Sequence, residues 1–140
     1  MDYEKLADEL LCKMQSLHRA GPQRNIDESL RGEAMILHFI SRRGCGVLPG
    51  EIGQEMGVSS ARVAAALNSL EVKGLITRQI DKSDRRRILV SITPEGSALE
   101  ARQFLEIVGE VARMLELLGE RDAKEHVRIM GRLAEILMSK

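Results

Sequence analysis

The chain has 140 residues, 44% of them hydrophobic and 30% charged, with 21 cations balancing 21 anions. That is the length of one ordinary domain, with enough apolar residues for a core. Two Phe, one Tyr and no Trp make that core aliphatic, and they argue against the aromatic base-stacking platforms of RRM and OB-type nucleic-acid binders.

The balanced charge is unevenly spread. Residues 1–48 carry seven cations and seven anions, residues 49–93 seven and five, and residues 94–140 seven and nine. The basic middle supports nucleic-acid binding only in company with local pattern. Cys12 and Cys45 are far apart and lack paired spacing. That is the pattern of a reducing compartment rather than a disulfide scaffold. No apolar run approaches the roughly 20 residues of a membrane span. The start, Met1-Asp2-Tyr3-Glu4-Lys5, lacks a signal-peptide layout. A cytoplasmic protein with no membrane partner is the expectation.

Along residues 2–20, Tyr3, Leu6, Leu10, Met14 and Leu17 form one helical stripe with Ala7 and Leu11 beside it,. Gly21-Pro22 is the predicted stop. A second helix is predicted from near Ser29 to about Arg43, with Leu30, Ala34, Ile36, Leu37 and Ile40 as its apolar positions. Gly46-Val47-Leu48 reads as a short strand. Pro49 suits the first turn of a short helix that Gly57 closes. Ser59 then reads as the N-cap of a helix from Ser60 to about Lys73, whose inner stripe is Val63, Ala66, Leu67 and Leu70,. Gly74 fits the left-handed residue just past a helix end.

Two short helices joined by a tight Gly-containing turn make a helix-turn-helix, whose second helix enters the major groove. The spacing turns Ser60, Ala61, Arg62, Ala64, Ala65 and Asn68 outward. A plain solvated helix face explains these six equally well when they are taken alone. The residues beyond Gly74 tip the balance. Ile76–Ile80 and Ile88–Thr93 are β-branched runs flanking a polar tip, the signature of a hairpin. From Leu75 to Thr93 there are five cations (Arg78, Lys82, Arg85, Arg86, Arg87) against two anions, Asp81 and Asp84. A helix-turn-helix followed at once by a basic hairpin is a winged helix.

Pro94 then opens a helix to about Leu118, with Ala101, Phe104, Leu105, Val108, Val111, Ala112 and Leu115 as its stripe. Gly119 breaks it, and a last helix runs to Met138 with Val127, Met130, Leu133, Ala134 and Leu137 along one side. A winged helix needs no such appendages. They are expected to bury their stripes against a second copy in an isologous dimer. The fold class is therefore mainly α with a small β-hairpin wing: a winged helix-turn-helix with long N- and C-terminal dimerisation helices.

This order resembles the MarR family of winged-helix regulators over essentially the whole chain. The most specific parts are Asp81-Lys82-Ser83-Asp84-Arg85-Arg86-Arg87, the strand to Thr93-Pro94-Glu95-Gly96, and the exit Leu70-Glu71-Val72-Lys73-Gly74-Leu75-Ile76. The resemblance implies one domain over 1–140. Residues 30–93 would form the DNA-binding lobe, and residues 1–20 and 94–140 a helical dimerisation lobe. It implies a homodimer that binds a pseudo-palindromic double-stranded DNA operator, usually as a repressor released by a small molecule or an oxidant. Carried onto this chain, Asp84 would brace Arg86, and Arg86 would enter the minor groove, whose narrow stretches attract an inserted Arg. Arg85, Arg87 and Lys82 would touch phosphates. Base readout would fall on Ser60, Arg62 and Asn68 near the Ser59 cap, with Ala64 able to meet a thymine methyl. Two departures from the family pattern, the Ala64-Ala65-Ala66 run and Leu30-Arg31-Gly32-Glu33, leave the operator and the effector open.

An effector pocket for a small aromatic or anionic molecule is expected along the first two predicted helices, from Leu11, Cys12, Met14, Gln15, His18, Met35 and His38. Plain core packing is the competing role for each. Cys12 lies where a peroxide-sensing branch of the family carries its reactive thiol, but Tyr3 is the only tyrosine present to support one,. No His or Cys pair has metal-ligand spacing, and no phosphate loop or catalytic-triad motif occurs. Neither enzyme, cofactor nor metal is expected. A protein-interaction module is the remaining alternative.

Overall fold

A computed structural model describes residues 1–139, with every side chain in that range except that of Arg31. Among the described residues, seven helices and two strands follow in order: α1 (Tyr3–Arg19), α2 (Pro22–Arg31), α3 (Glu33–Arg43), α4 (Pro49–Met56), α5 (Ser60–Val72), β1 (Ile76–Ile80), β2 (Ile88–Ile92), α6 (Pro94–Leu118) and α7 (Glu120–Met138). The backbone divides into two compact units, Met1–Ile107 and Val108–Lys140, so α6 runs from the first into the second.

The sequence predicts one helix from near Ser29 to Arg43. The structure instead has α2 and α3, separated by an extended Gly32 (φ −88°, ψ −175°). The physical reason lies at both ends. Pro22, read as a stop, is a helix start, because its fixed φ and missing N–H cost nothing in a first turn. Gly32 steps out of helical geometry, and its carbonyl serves as the cap of α3, accepting from the amides of Met35 and Ile36.

The core of the first unit belongs to the winged helix. Ile36, Leu37 and Ile40 of α3, Ile52 of α4, and Val63, Leu67 and Leu70 of α5 are buried together with Val47, Ile76 and Val90. Each fully buried aliphatic side chain of this kind contributes about 1.5–3 kcal/mol. β1 and β2 pair antiparallel from Ile76↔Ile92 to Ile80↔Ile88. The short strand expected at Gly46–Leu48 is a single bridge, Val47↔Val90, closed by two hydrogen bonds of 2.9 and 2.8 Å.

The junction of α5, β2 and α6 is close-packed. Gly74 holds a left-handed φ of +76° after α5, as the sequence predicts. The Thr93 hydroxyl donates to the Gly74 carbonyl at 2.7 Å and accepts from the Gly96 amide at 3.0 Å. Gly96 is buried. A Cβ placed on it would lie 2.0 Å from the Leu75 carbonyl oxygen and 2.9 Å from Ile92 Cγ1, so no larger residue fits.

The long helices behave differently. Neither α1 nor α7 has a buried residue. Leu6, Leu10, Met14 and Leu17 on α1, and Val127, Met130, Leu133 and Leu137 on α7, are exposed.

Candidate nucleic-acid interface

The candidate reading helix is built from its cap upward. Ser59 sits in extended geometry, and its hydroxyl accepts the Arg62 amide at 3.2 Å. That satisfies one of the free N–H groups of the first turn. Ser60, Ala61, Arg62, Ala64, Ala65 and Asn68 are all exposed, while Val63, Ala66, Leu67 and Leu70 are buried. The spacing argument therefore placed the whole outer face.

The wing tip is a seven-residue loop held by its own hydrogen bonds. The Asp81 amide donates to the Arg87 carbonyl at 2.9 Å, and the Arg87 amide donates to the Asp84 carbonyl at 3.0 Å. Asp81 accepts from both the hydroxyl and the amide of Ser83, at 2.7 and 2.9 Å. The hydroxyl bond, with the amide behind it, holds the Asp81 carboxyl below its ordinary range,.

Asp84 and Arg86 do meet. One carboxylate oxygen, Oδ1, accepts the Arg86 amide at 3.1 Å and Nε at 3.2 Å. The contact is a single-oxygen clasp rather than a bidentate fork. It fixes the base of the Arg86 side chain, which as a whole stays 91% exposed. Lys82, Arg85 and Arg87 are exposed beside it. Arg78, counted with these cations in the sequence, is engaged: Glu71 takes its Nε and Nη2 at 3.2 and 2.9 Å. The bond lowers the pKa of Glu71 and raises that of Arg78.

The expected effector lining is brought together only in part. Leu11, Met14, Gln15 and His18 share a concavity of about 490 Å³ with Arg19 and Asp27. Cys12, on the other side of α1, borders a different hollow with Lys13, Ser16, Leu17 and Ala20. Neither Met35 nor His38 lines the α1 concavity. His38 points at α6, where Nδ1 meets the Glu100 carboxylate and the ring stacks on Phe104, centroids 4.1 Å apart. Periodicity carries no signal for a pair 62 residues apart.

A third hollow, of about 440 Å³, lies against the candidate reading helix. Arg62, Ala65 and Ala66 face His18, Asp27, Glu28 and Glu33 across it. The acidic wall comes from α2 and the start of α3, so a reading without α2 cannot see it. Among the described residues no group of His, Cys, Asp and Glu side chains is placed to hold a metal. No helix among them is long and apolar enough to cross a membrane.

A capped, short-residue helix followed by a basic hairpin and framed by α3 and α4 defines a winged helix-turn-helix protein. A model described as the MarR family matches residues 29–87, from α2 through the wing tip. The chain is 29% identical over 90 residues to the organic hydroperoxide resistance transcriptional regulator of Bacillus subtilis (strain 168). That match covers 64% of this chain and 60% of that protein, under two thirds of its length. It is 28% identical over 144 aligned residues to the uncharacterized HTH-type transcriptional regulator YwhA of the same organism, covering 96% of this chain and all of that one. The solved structure of Streptococcus pneumoniae FabT in complex with DNA superposes with a TM-score of 0.65 at 22% identity, covering 99% of each chain. Over residues 29–87 the chain is therefore similar to the MarR family, and its winged-helix fold is shared with solved regulators.

Proposed function

We propose that this chain is a DNA-binding transcriptional regulator: a homodimeric repressor of a pseudo-palindromic operator, released by a small ligand. The observation that carries the reading is the pairing of the Ser59-capped face of α5 with a wing whose Arg86 is held at its base by Asp84 and otherwise exposed. In this reading Ser60, Arg62 and Asn68 meet base edges, and Ala64 meets a thymine methyl. Arg86 enters the minor groove, and Ser59, Lys82, Arg85 and Arg87 touch phosphates. The exposed stripes of α1 and α7 support a second copy. Two reading helices would then sit about 34–36 Å apart, one turn of duplex. The Leu11–Met14 wall, with His18 and Arg19 as a donor edge, suits a small aromatic or anionic effector.

The test is a salt series of binding to genomic duplexes by wild type and Arg86→Ala. A phosphate-contacting regulator loses affinity steeply as salt rises. Arg86→Ala should weaken binding about tenfold or more, since a minor-groove Arg reads as well as attracts. Salt-independent binding by wild type would favour an interaction module instead. The exposure of Cys12 keeps a redox route measurable: peroxide release of DNA that survives Cys12→Ser excludes it.

A further inference from the structure

The ion pair between Glu71 and Arg78 is outside every role assigned so far. Glu71 lies in the last turn of α5, and Arg78 at the centre of β1, opposite Val90. Between them the chain reverses through the left-handed Gly74. The two side chains close that reversal with a pair of hydrogen bonds, Nε to Oε2 at 3.2 Å and Nη2 to Oε1 at 2.9 Å.

A guanidinium that uses two N–H groups on two carboxylate oxygens is fixed in plane as well as in distance. We infer that Glu71 and Arg78 are positioning residues that set the angle of the wing against the reading helix, so that Arg86 and Arg62 reach their grooves together. The inference rests on the proposed DNA-binding function. A turn about one glycine is a soft joint. The hairpin beyond it is stiffened by its own ladder from Ile76↔Ile92 to Ile80↔Ile88, so any error of angle at the joint is carried to Arg86 at the tip. The pair takes up that freedom. It also removes Arg78 from the wing's free charge, leaving Lys82, Arg85 and Arg87 as the cations without a carboxylate partner among the ion pairs of the described residues.

The role makes a prediction opposite to simple electrostatics. Glu71→Gln deletes a negative charge close to the proposed DNA face, which by Coulomb attraction alone would tighten binding. As a positioning residue its loss must weaken binding.

The probe is a duplex enriched by the wild-type protein from a random 30-base-pair pool. Glu71→Gln and Arg78→Gln should each bind it about fivefold more weakly, the equivalent of a well-formed exposed ion pair. The slope of affinity against salt should be unchanged in both, while Arg85→Gln lowers it by roughly one. The exchanged variant Glu71→Arg/Arg78→Glu should recover to within about twofold of wild type, as a coupled pair does. Arg78→Lys keeps the charge and loses the fork, and should weaken binding as Arg78→Gln does; it serves if the neutral variant unfolds. Unchanged or tighter binding by Glu71→Gln overturns the inference. A salt slope reduced by about one in Arg78→Gln also overturns it, because Arg78 would then be a phosphate contact. An exchanged variant no better than the singles overturns it as well. If wild type enriches no duplex, the DNA-binding reading fails first, and the two failures are thereby distinguished.

Discussion

The winged-helix core and the terminal helices are made from the same aliphatic residues, yet they use them in opposite ways. In the core, Ile36, Ile40, Ile52, Leu67 and Val90 are almost completely removed from solvent. On α1 and α7, stripes just as regular remain exposed, Leu10 at 59% and Met130 at 58%. Periodicity reports that a helix has an apolar face; it does not report whether that face is satisfied within one chain. A stripe with no partner marks either an interface or a liability. Isolated helices of this length draw most of their stability from tertiary packing, so the contrast divides the molecule into a part whose apolar faces are buried within the chain and a part that the proposed second copy would cover.

The largest blow to the self-sufficient part is Leu67→Ala. It opens a cavity between α5 and the rest of the core and should cost about 3 kcal/mol. The loss, read as a shift of the urea midpoint, should not depend on protein concentration. A concentration-dependent loss would blur the division. On the other side, Leu133→Glu on α7 should leave the core's unfolding largely intact and weaken self-association at least about tenfold, since a charge would be buried at the interface. Sedimentation equilibrium measures it, and a wild-type melting point that rises with concentration should become flat in the variant. A mutant that stays dimeric would place the interface elsewhere.

The smallest effect tests the frame of the core. Lys73 donates to Glu33 at 2.8 Å, tying the end of α5 to the start of α3. That hydrogen bond, with a further one from Ser69, lowers the Glu33 pKa below its ordinary value. A carboxylate with a depressed folded pKa adds stability above its unfolded value, and loses it as pH falls through the folded one. Glu33→Gln should therefore cost a few tenths of a kcal/mol at neutral pH, as exposed pairs do. The gap between variant and wild type should close in acid. A gap that persists at pH 3 would mean that packing, not charge, is lost.

Local signals explain what could be read in advance. Ser59, Gly57 and Gly74 punctuate the backbone by their own chemistry, and the structure shows each cap where expected. The hairpin followed from two β-branched runs around a polar tip, and the two strands pair over those runs. α2 escapes the sequence because Gly21-Pro22 signals a stop and a start with the same residues, and because Ile26 is its sole buried apolar side chain among the described residues. Its acidic wall facing Arg62 escapes with it. His38 reads as a pocket residue because it lies on the helix expected to border one, whereas Glu100 and Phe104 hold it from far along the chain. The Glu71–Arg78 pair is hidden for a related reason. Each residue has a plausible role in its own element, and only the turn between them makes them neighbours.

The contact at Gly96 has a mechanical consequence. The first turn of α6 lies on the Leu75 carbonyl, and Thr93 pins it to Gly74. The end of the reading helix, the foot of the wing and the start of α6 thus share one fulcrum with no slack for even a methyl group. A displacement of the first turn of α6 is therefore felt at once by the end of α5 and the foot of the wing, while the angle between those two is left to the Glu71–Arg78 pair,.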